Sequence, residues 1–120
     1  MKTKADEVPY EGYLADLVFL HKYCSKVVET LVGHEHMYFA EELLDKSRRT
    51  LRLYGEERLI DENVNVPIEY AYFDGVASRL KRAHKSFFTT TNRLYFQHKT
   101  AFAMISLMKY DLRRMEKRNG

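Results

Sequence analysis

A chain of 120 residues, 45% hydrophobic and 31% charged, has the size of one domain and the composition of a globular protein, which excludes a disordered one. Only 5 glycines and 2 prolines punctuate it, too few for a sheet of many short strands, and the single cysteine, Cys24, leaves no intramolecular disulfide. Net charge is +3, but residues 1 to 62 hold 9 basic and 13 acidic side chains while 63 to 120 hold 11 and 4, so the halves carry −4 and +7.

The first residues, 1–9, are polar and read as a flexible start without the apolar core of a secretory leader. From Tyr10 onward, Tyr13, Leu14, Leu17, Leu20, Cys24, Val27, Val28 and Leu31 recur every three or four residues and lay one apolar stripe along a helix that Gly33 can stop. The longest apolar run in the region, Leu17 to Leu20, falls far short of the about 20 residues that a bilayer span needs. The expected compartment is therefore the cytoplasm, with no membrane partner.

A second stripe, Met37, Ala40, Leu43, Leu44, Ser47, Leu51 and Tyr54, predicts a helix over 35–54 that frays toward residue 60. Glu35, Glu41 and Glu42 lie early in it, and Lys46, Arg48, Arg49 and Arg52 late, complementing the helix dipole. Residues 61–66 are polar and interrupted, a connecting loop, and Pro67 suits the first turn of the next helix. From Phe73 to Met115 the apolar period continues almost unbroken, which as one helix would run about 65 Å at 1.5 Å per residue. A turn is therefore expected at 89–92, where Thr89, Thr90 and Thr91 weaken helix and a Thr or Asn92 can cap a new one. The outcome is a single all-α domain over residues 1–120, an antiparallel four-helix bundle with short loops.

Among the motifs, Gly33-His34-Glu35-His36 contains good metal ligands, but residues two apart diverge on a helix and no Glu-x-x-His pair accompanies them, so neither metal nor cofactor is expected. Arg79 and His84 have the Arg-x4-His spacing of ribonucleases of the HEPN class, in which His serves as general acid or base and Arg holds phosphate charge. Against that reading, Leu80 stands where that class carries a polar residue, and His84 falls on the apolar stripe between Leu80 and Phe87. Cys24 lies on the stripe of the first helix with no basic neighbour to activate it and reads as a structural cysteine. There is no Gly-rich phosphate loop and no catalytic Ser/His/Asp signature.

The acid-free window between Asp74 and Asp111 is more informative, because Arg79, Lys81, Arg82, Lys85, Arg93, Lys99 and Lys109 all fall inside it. On a third helix Arg79, Arg82 and Lys85 share the side opposite Val76, Leu80 and Phe87; Arg93 prolongs that strip, and Lys109 and Arg113 extend it on the fourth helix. Such a strip contacts phosphates by charge and without sequence preference. The competing expectation is a solvated face neutralised by Glu29, Glu41, Glu42 and Asp45 of the acidic half. Tyr38, Phe39, Tyr70, Tyr72, Phe88 and Phe96 fall off the core stripes and imply exposed aromatic surface and self-association.

The segments Val76-Ala77-Ser78-Arg79-Leu80-Lys81-Arg82-Ala83-His84 and Ile105-Ser106-Leu107-Met108-Lys109-Tyr110-Asp111-Leu112 resemble the third and closing helices of two related families. These are the four-helix-bundle proteins encoded by intervening sequences of ribosomal RNA genes and the accessory variability (Avd) proteins of diversity-generating retroelements. The resemblance implies a homo-oligomer with a basic surface and, for the Avd group, a reverse transcriptase and its RNA as partners. The combined expectation is a non-catalytic accessory protein that self-associates and binds RNA or DNA backbone through Arg79, Arg82, Lys85, Arg93, Lys109 and Arg113. A protein-interaction module or inhibitor of phage or mobile-element origin, and the HEPN-like ribonuclease, stand as alternatives.

Overall fold

A computed structural model describes residues 8–33, 35, 37–62 and 70–97. Within them the regular structure is helical throughout: α1 (Tyr13–Thr30), α2 (Met37–Leu53), a short 3-10 turn (Glu57–Asp61), α3 (Tyr70–Ala83) and α4 (Thr90–Tyr95). Among the described residues, no helix is long and apolar enough to cross a membrane.

α1 is the central element. It packs along α2 and also against α3, so it needs apolar surface on more than one side. Tyr13, Leu17, Leu20, Cys24 and Val27 of the expected stripe are buried, and so are Phe19 and Tyr23 beside it. Ala40, Leu43 and Leu51 of α2 and Phe73, Val76, Ala77 and Leu80 of α3 close the core from either side. An aromatic ladder continues the core toward α4: Tyr23 stacks on Phe73 at 4.5 Å between ring centres and Phe73 on Phe96 at 5.1 Å. Phe39 of α2 stacks on Tyr95 of α4 at 4.2 Å. Each such pair adds about 1 kcal/mol beyond the area it buries. Of the aromatics that fall off the stripes, Phe88 and Phe96 are thus core, Phe39 is half-buried, Tyr38 and Tyr72 are exposed, and the Tyr70 side chain lies outside the described residues.

Helix ends follow their glycines. Gly12, at φ +89°, turns the chain so that Tyr13 N–H reaches the Tyr10 carbonyl at 3.2 Å and α1 can begin. α2 starts at Met37, two residues later than its spacing predicts, and does not fray onward. At its far end Gly55 is left-handed, at φ +71°; its N–H donates to the Arg52 carbonyl at 3.0 Å and the Glu56 N–H to the Leu51 carbonyl at 2.9 Å. That pair of bonds is a Schellman stop, which only a residue tolerant of positive φ can make without strain. Beyond it the chain forms the 3-10 turn against α1 and α2.

The break between α3 and α4 falls at 84–89, not at 89–92. His84 N–H makes the last helical bond to Leu80 at 2.7 Å, Phe87 N–H turns back to the His84 carbonyl at 3.1 Å, and the Thr89 carbonyl accepts from Arg93 to open α4. Packing explains the shift. Phe87 and Phe88 are both buried in the turn, and Lys46 of α2 holds the Ser86 carbonyl beside them, so tertiary contacts rather than the threonine run place the break. The connecting loop expected at 61–66 and Pro67 lie largely outside the described residues, as does everything after 97.

Candidate functional site

The turn at Gly12 folds Tyr10 back over the start of α1, and three side chains meet there. Arg79 of α3 grips Asp16 of α1 with both arms, Nε to Oδ2 at 2.8 Å and Nη2 to Oδ1 at 3.1 Å, while the Tyr10 hydroxyl donates to the same Oδ2 at 2.7 Å. The Asp16 side chain is only 10% exposed and that of Arg79 45%. Hydrogen bonding to Asp16 pushes the Arg79 guanidinium above its ordinary pKa, and burial followed by the Asp16 bond does the same to the Tyr10 hydroxyl. A fork-to-fork pair of this kind fixes the guanidinium plane as well as its charge.

One turn away a second contact ties the same two helices. The Tyr13 hydroxyl is hydrogen-bonded to His84 Nε2, and the His84 ring stacks on Phe87 at 4.7 Å. Burial lowers the His84 pKa, which favours the neutral ring. The Arg-x4-His pair thus has both functional groups engaged with α1, Arg79 with Asp16 and His84 with Tyr13. Tyr10 and Tyr13 meet edge to face at 5.5 Å, which makes one polar and aromatic cluster of the two contacts.

The expected strip of cations divides in the structure. Arg79 is met by Asp16; Arg93 Nη2 stands 3.9 Å from Asp74 Oδ1; Arg82 and Lys85 are exposed, with no carboxylate partner among the described residues. Arg82 Nε donates to the Ser78 carbonyl at 3.4 Å, and the residue is exposed. Lys109 and Arg113 lie outside the described residues. Among the described residues the acidic half meets only Arg79 of the strip, while Glu29, Glu42 and Asp45 pair within their own helices, with Lys26, Lys46 and Arg49. Asp16 is the exception, and nothing in its local sequence marks it.

Two hollows flank this surface. One, of about 400 Å³, lies between the N-terminal turn and α3 and is lined by Pro9, Tyr10, Arg79, Arg82 and Ala83. The other, of about 460 Å³, lies between α2 and the α3–α4 turn, where Lys46, Arg49 and Arg52 overlook Leu53, Ser86 and Phe87. Lys46 Nζ donates to the Ser86 carbonyl at 2.7 Å and pins that turn to α2. The spacing of α2 assigns these cations to the helix dipole; that they overlook a cleft depends on where the later turn docks.

Among the described residues no group of three or more His, Cys, Asp or Glu side chains could hold a metal ion, and His34 and His36 lie outside them. Cys24 is fully buried, and burial pushes its thiol well above the ordinary range, where it is inert as a nucleophile. No family model, no curated protein and no solved structure matches the chain.

Proposed function

We propose that this chain is a non-catalytic, self-associating accessory protein of the four-helix-bundle type that binds the phosphate backbone of RNA or DNA through the cations of its C-terminal half. The observation that carries the reading is the exposed pair Arg82 and Lys85, uncompensated among the described residues and placed in a stretch of sequence free of acid from Asp74 to Asp111. Arg79 and Arg93 flank the pair with part of their charge already met. The bundle reading draws support from α1 packing against both α2 and α3 and from the short link between α3 and α4. The likeness of residues 76–84 and 105–112 to the intervening-sequence and Avd proteins favours an oligomer in the cytoplasm that assists a reverse transcriptase.

A second reading, a protein-interaction module, is favoured by the exposure of Val32 (75%), Tyr38 (70%) and Leu53 (71%), large apolar side chains that a folded chain ordinarily covers. The ribonuclease reading requires His84 to leave Tyr13 and Arg79 to leave Asp16, and no observation favours that.

Fluorescence-polarisation titration of labelled RNA and DNA at about 50 and about 200 mM salt tests the proposal, since every phosphate contact adds about 0.9 to the slope of log affinity against log salt. Arg82→Glu with Lys85→Glu is expected to flatten that slope by about 2 and to weaken binding to all sequences alike. Unchanged affinity and slope in the double variant end the reading. Light scattering of the free protein is expected to show an oligomer; a monomer at micromolar concentration removes the self-association.

A further inference from the structure

We infer that the hollow between the N-terminal turn and α3 holds a nucleotide of a single strand, its base against the Tyr10 ring and its phosphates on Arg82 and the outer nitrogen of Arg79. The inference rests on the backbone-binding reading above and goes past it, because a backbone strip alone does not distinguish a single strand from a duplex.

Three observations carry it. Among the described residues Tyr10 is the one aromatic lining the hollow, and it is held in place rather than free to collapse, its hydroxyl donating to Asp16 at 2.7 Å and its ring edge to face with Tyr13. Arg79 is oriented by Asp16 through Nε and Nη2, which leaves Nη1 turned from the carboxylate. Arg82, on the same wall, adds a charge with no carboxylate partner among the described residues, so the hollow combines a fixed aromatic ring with two guanidiniums, one of them oriented by a carboxylate.

Chemistry selects the occupant. An aromatic ring beside arginines gives stacking that every base can use and charge that every phosphate can use, the pairing by which proteins hold single strands without sequence preference. At about 400 Å³ the hollow is within the size range of small-ligand pockets, too small for a double helix. In a duplex the base faces are occupied by their neighbours and cannot reach Tyr10. Phosphate contact to Arg82 and Lys85 remains open to either form, and it is the base contact that separates them.

The experiment compares a labelled single-stranded oligonucleotide of about 12 nucleotides with the duplex of the same sequence, by fluorescence polarisation at low salt, using the full chain. The native protein is expected to favour the single strand by about tenfold, Tyr10→Ala to lose that preference, and Tyr10→Phe, which keeps the ring and its edge contact to Tyr13 but drops the bond to Asp16, to recover part of it. Equal affinity for the two forms, or tighter binding of the duplex, overturns the inference and leaves the backbone reading standing. A preference that survives in Tyr10→Ala overturns it as well. Failure of the native chain to bind either form sinks both readings together. The comparison within the native chain does not depend on how well any variant folds.

Discussion

His21, on α1, is 5% exposed, and neither ring nitrogen has a hydrogen-bond partner among the described residues. Burial first, and then the nearby charges of Arg48 and Lys22, push its pKa from 6.5 down to about 4, against the opposing pull of Asp61 and Glu57. The folded chain therefore keeps the ring neutral while the unfolded chain protonates it as pH falls through about 6.5. Stability is full above that pH and declines toward about pH 4, by up to about 3 kcal/mol, since a tenfold difference in proton affinity between the folded and unfolded chain is worth about 1.4 kcal/mol. Denaturant melts of His21→Leu at several pH values are expected to show a shallower acid decline, with part remaining because burial lowers the His84 pKa in the same direction. At neutral pH the variant should match or exceed the native stability by about 1 kcal/mol, because it removes two unpartnered polar atoms. Loss of several kcal/mol at pH 7 would show that the ring nitrogens are satisfied after all. None of this was visible in the spacing, which places His21 beside the stripe and gives no sign that the 3-10 turn packs against α1.

At the level of elements, the apolar stripes of α1, α2 and α3 were legible because a period of three to four residues has one physical meaning on a half-buried helix. The stops were less so. Gly33, expected to stop α1, does take a positive φ of 79°, but the helix already ends at Thr30, with the Leu31 N–H on the Val27 carbonyl. The end of α2 was read within one residue, at 54 against Leu53, but with fraying toward 60, because Leu59 and Ile60 carry the apolar period past Gly55. The misplaced α3–α4 break has a similar origin: the threonine run is a local propensity, whereas the burial of Phe87 and Phe88 together is a demand of packing, and packing outweighs propensity. Gly55→Ala is expected to lower stability by about 1 kcal/mol, since an L side chain at positive φ strains the Schellman bonds. A thermal melt displaced downward by several degrees would agree, and an unchanged or higher midpoint would mean that α2 can end without that geometry.

Across the whole molecule, the uneven division of charge was legible and its resolution was not. Carboxylates at helical spacing from cations, such as Asp45 and Arg49, announce their pairing, but Asp16 and Arg79 stand 63 residues apart and meet only because α1 and α3 pack. The charge of Arg79, one of the four described cations of the proposed strip, is thus met by a contact that local sequence does not encode. Arg82 and Lys85 remain as the part of the strip that the sequence identified and the fold leaves exposed.

The two ties between α1 and α3 also set an order of events in time. α1 and α2 are joined by six residues, whereas the Asp16–Arg79 and Tyr13–His84 contacts close loops of 63 and 71. Closing a tenfold longer loop costs about 2 kcal/mol more in chain entropy, so the α1–α2 pair can form first and α3 docks onto it later. The reverse holds on opening, and amide hydrogens of α3 are expected to exchange with solvent through a smaller excursion than those of α1. Asp16→Asn should widen the gap by quickening exchange in α3 while α1 and α2 keep their protection. Uniform exchange along the chain would mean that the three helices open as one unit. In the staged case the wall that carries Arg79 and Arg82 belongs to the most labile part of the fold, and whatever occupies the hollow beside it would slow that exchange.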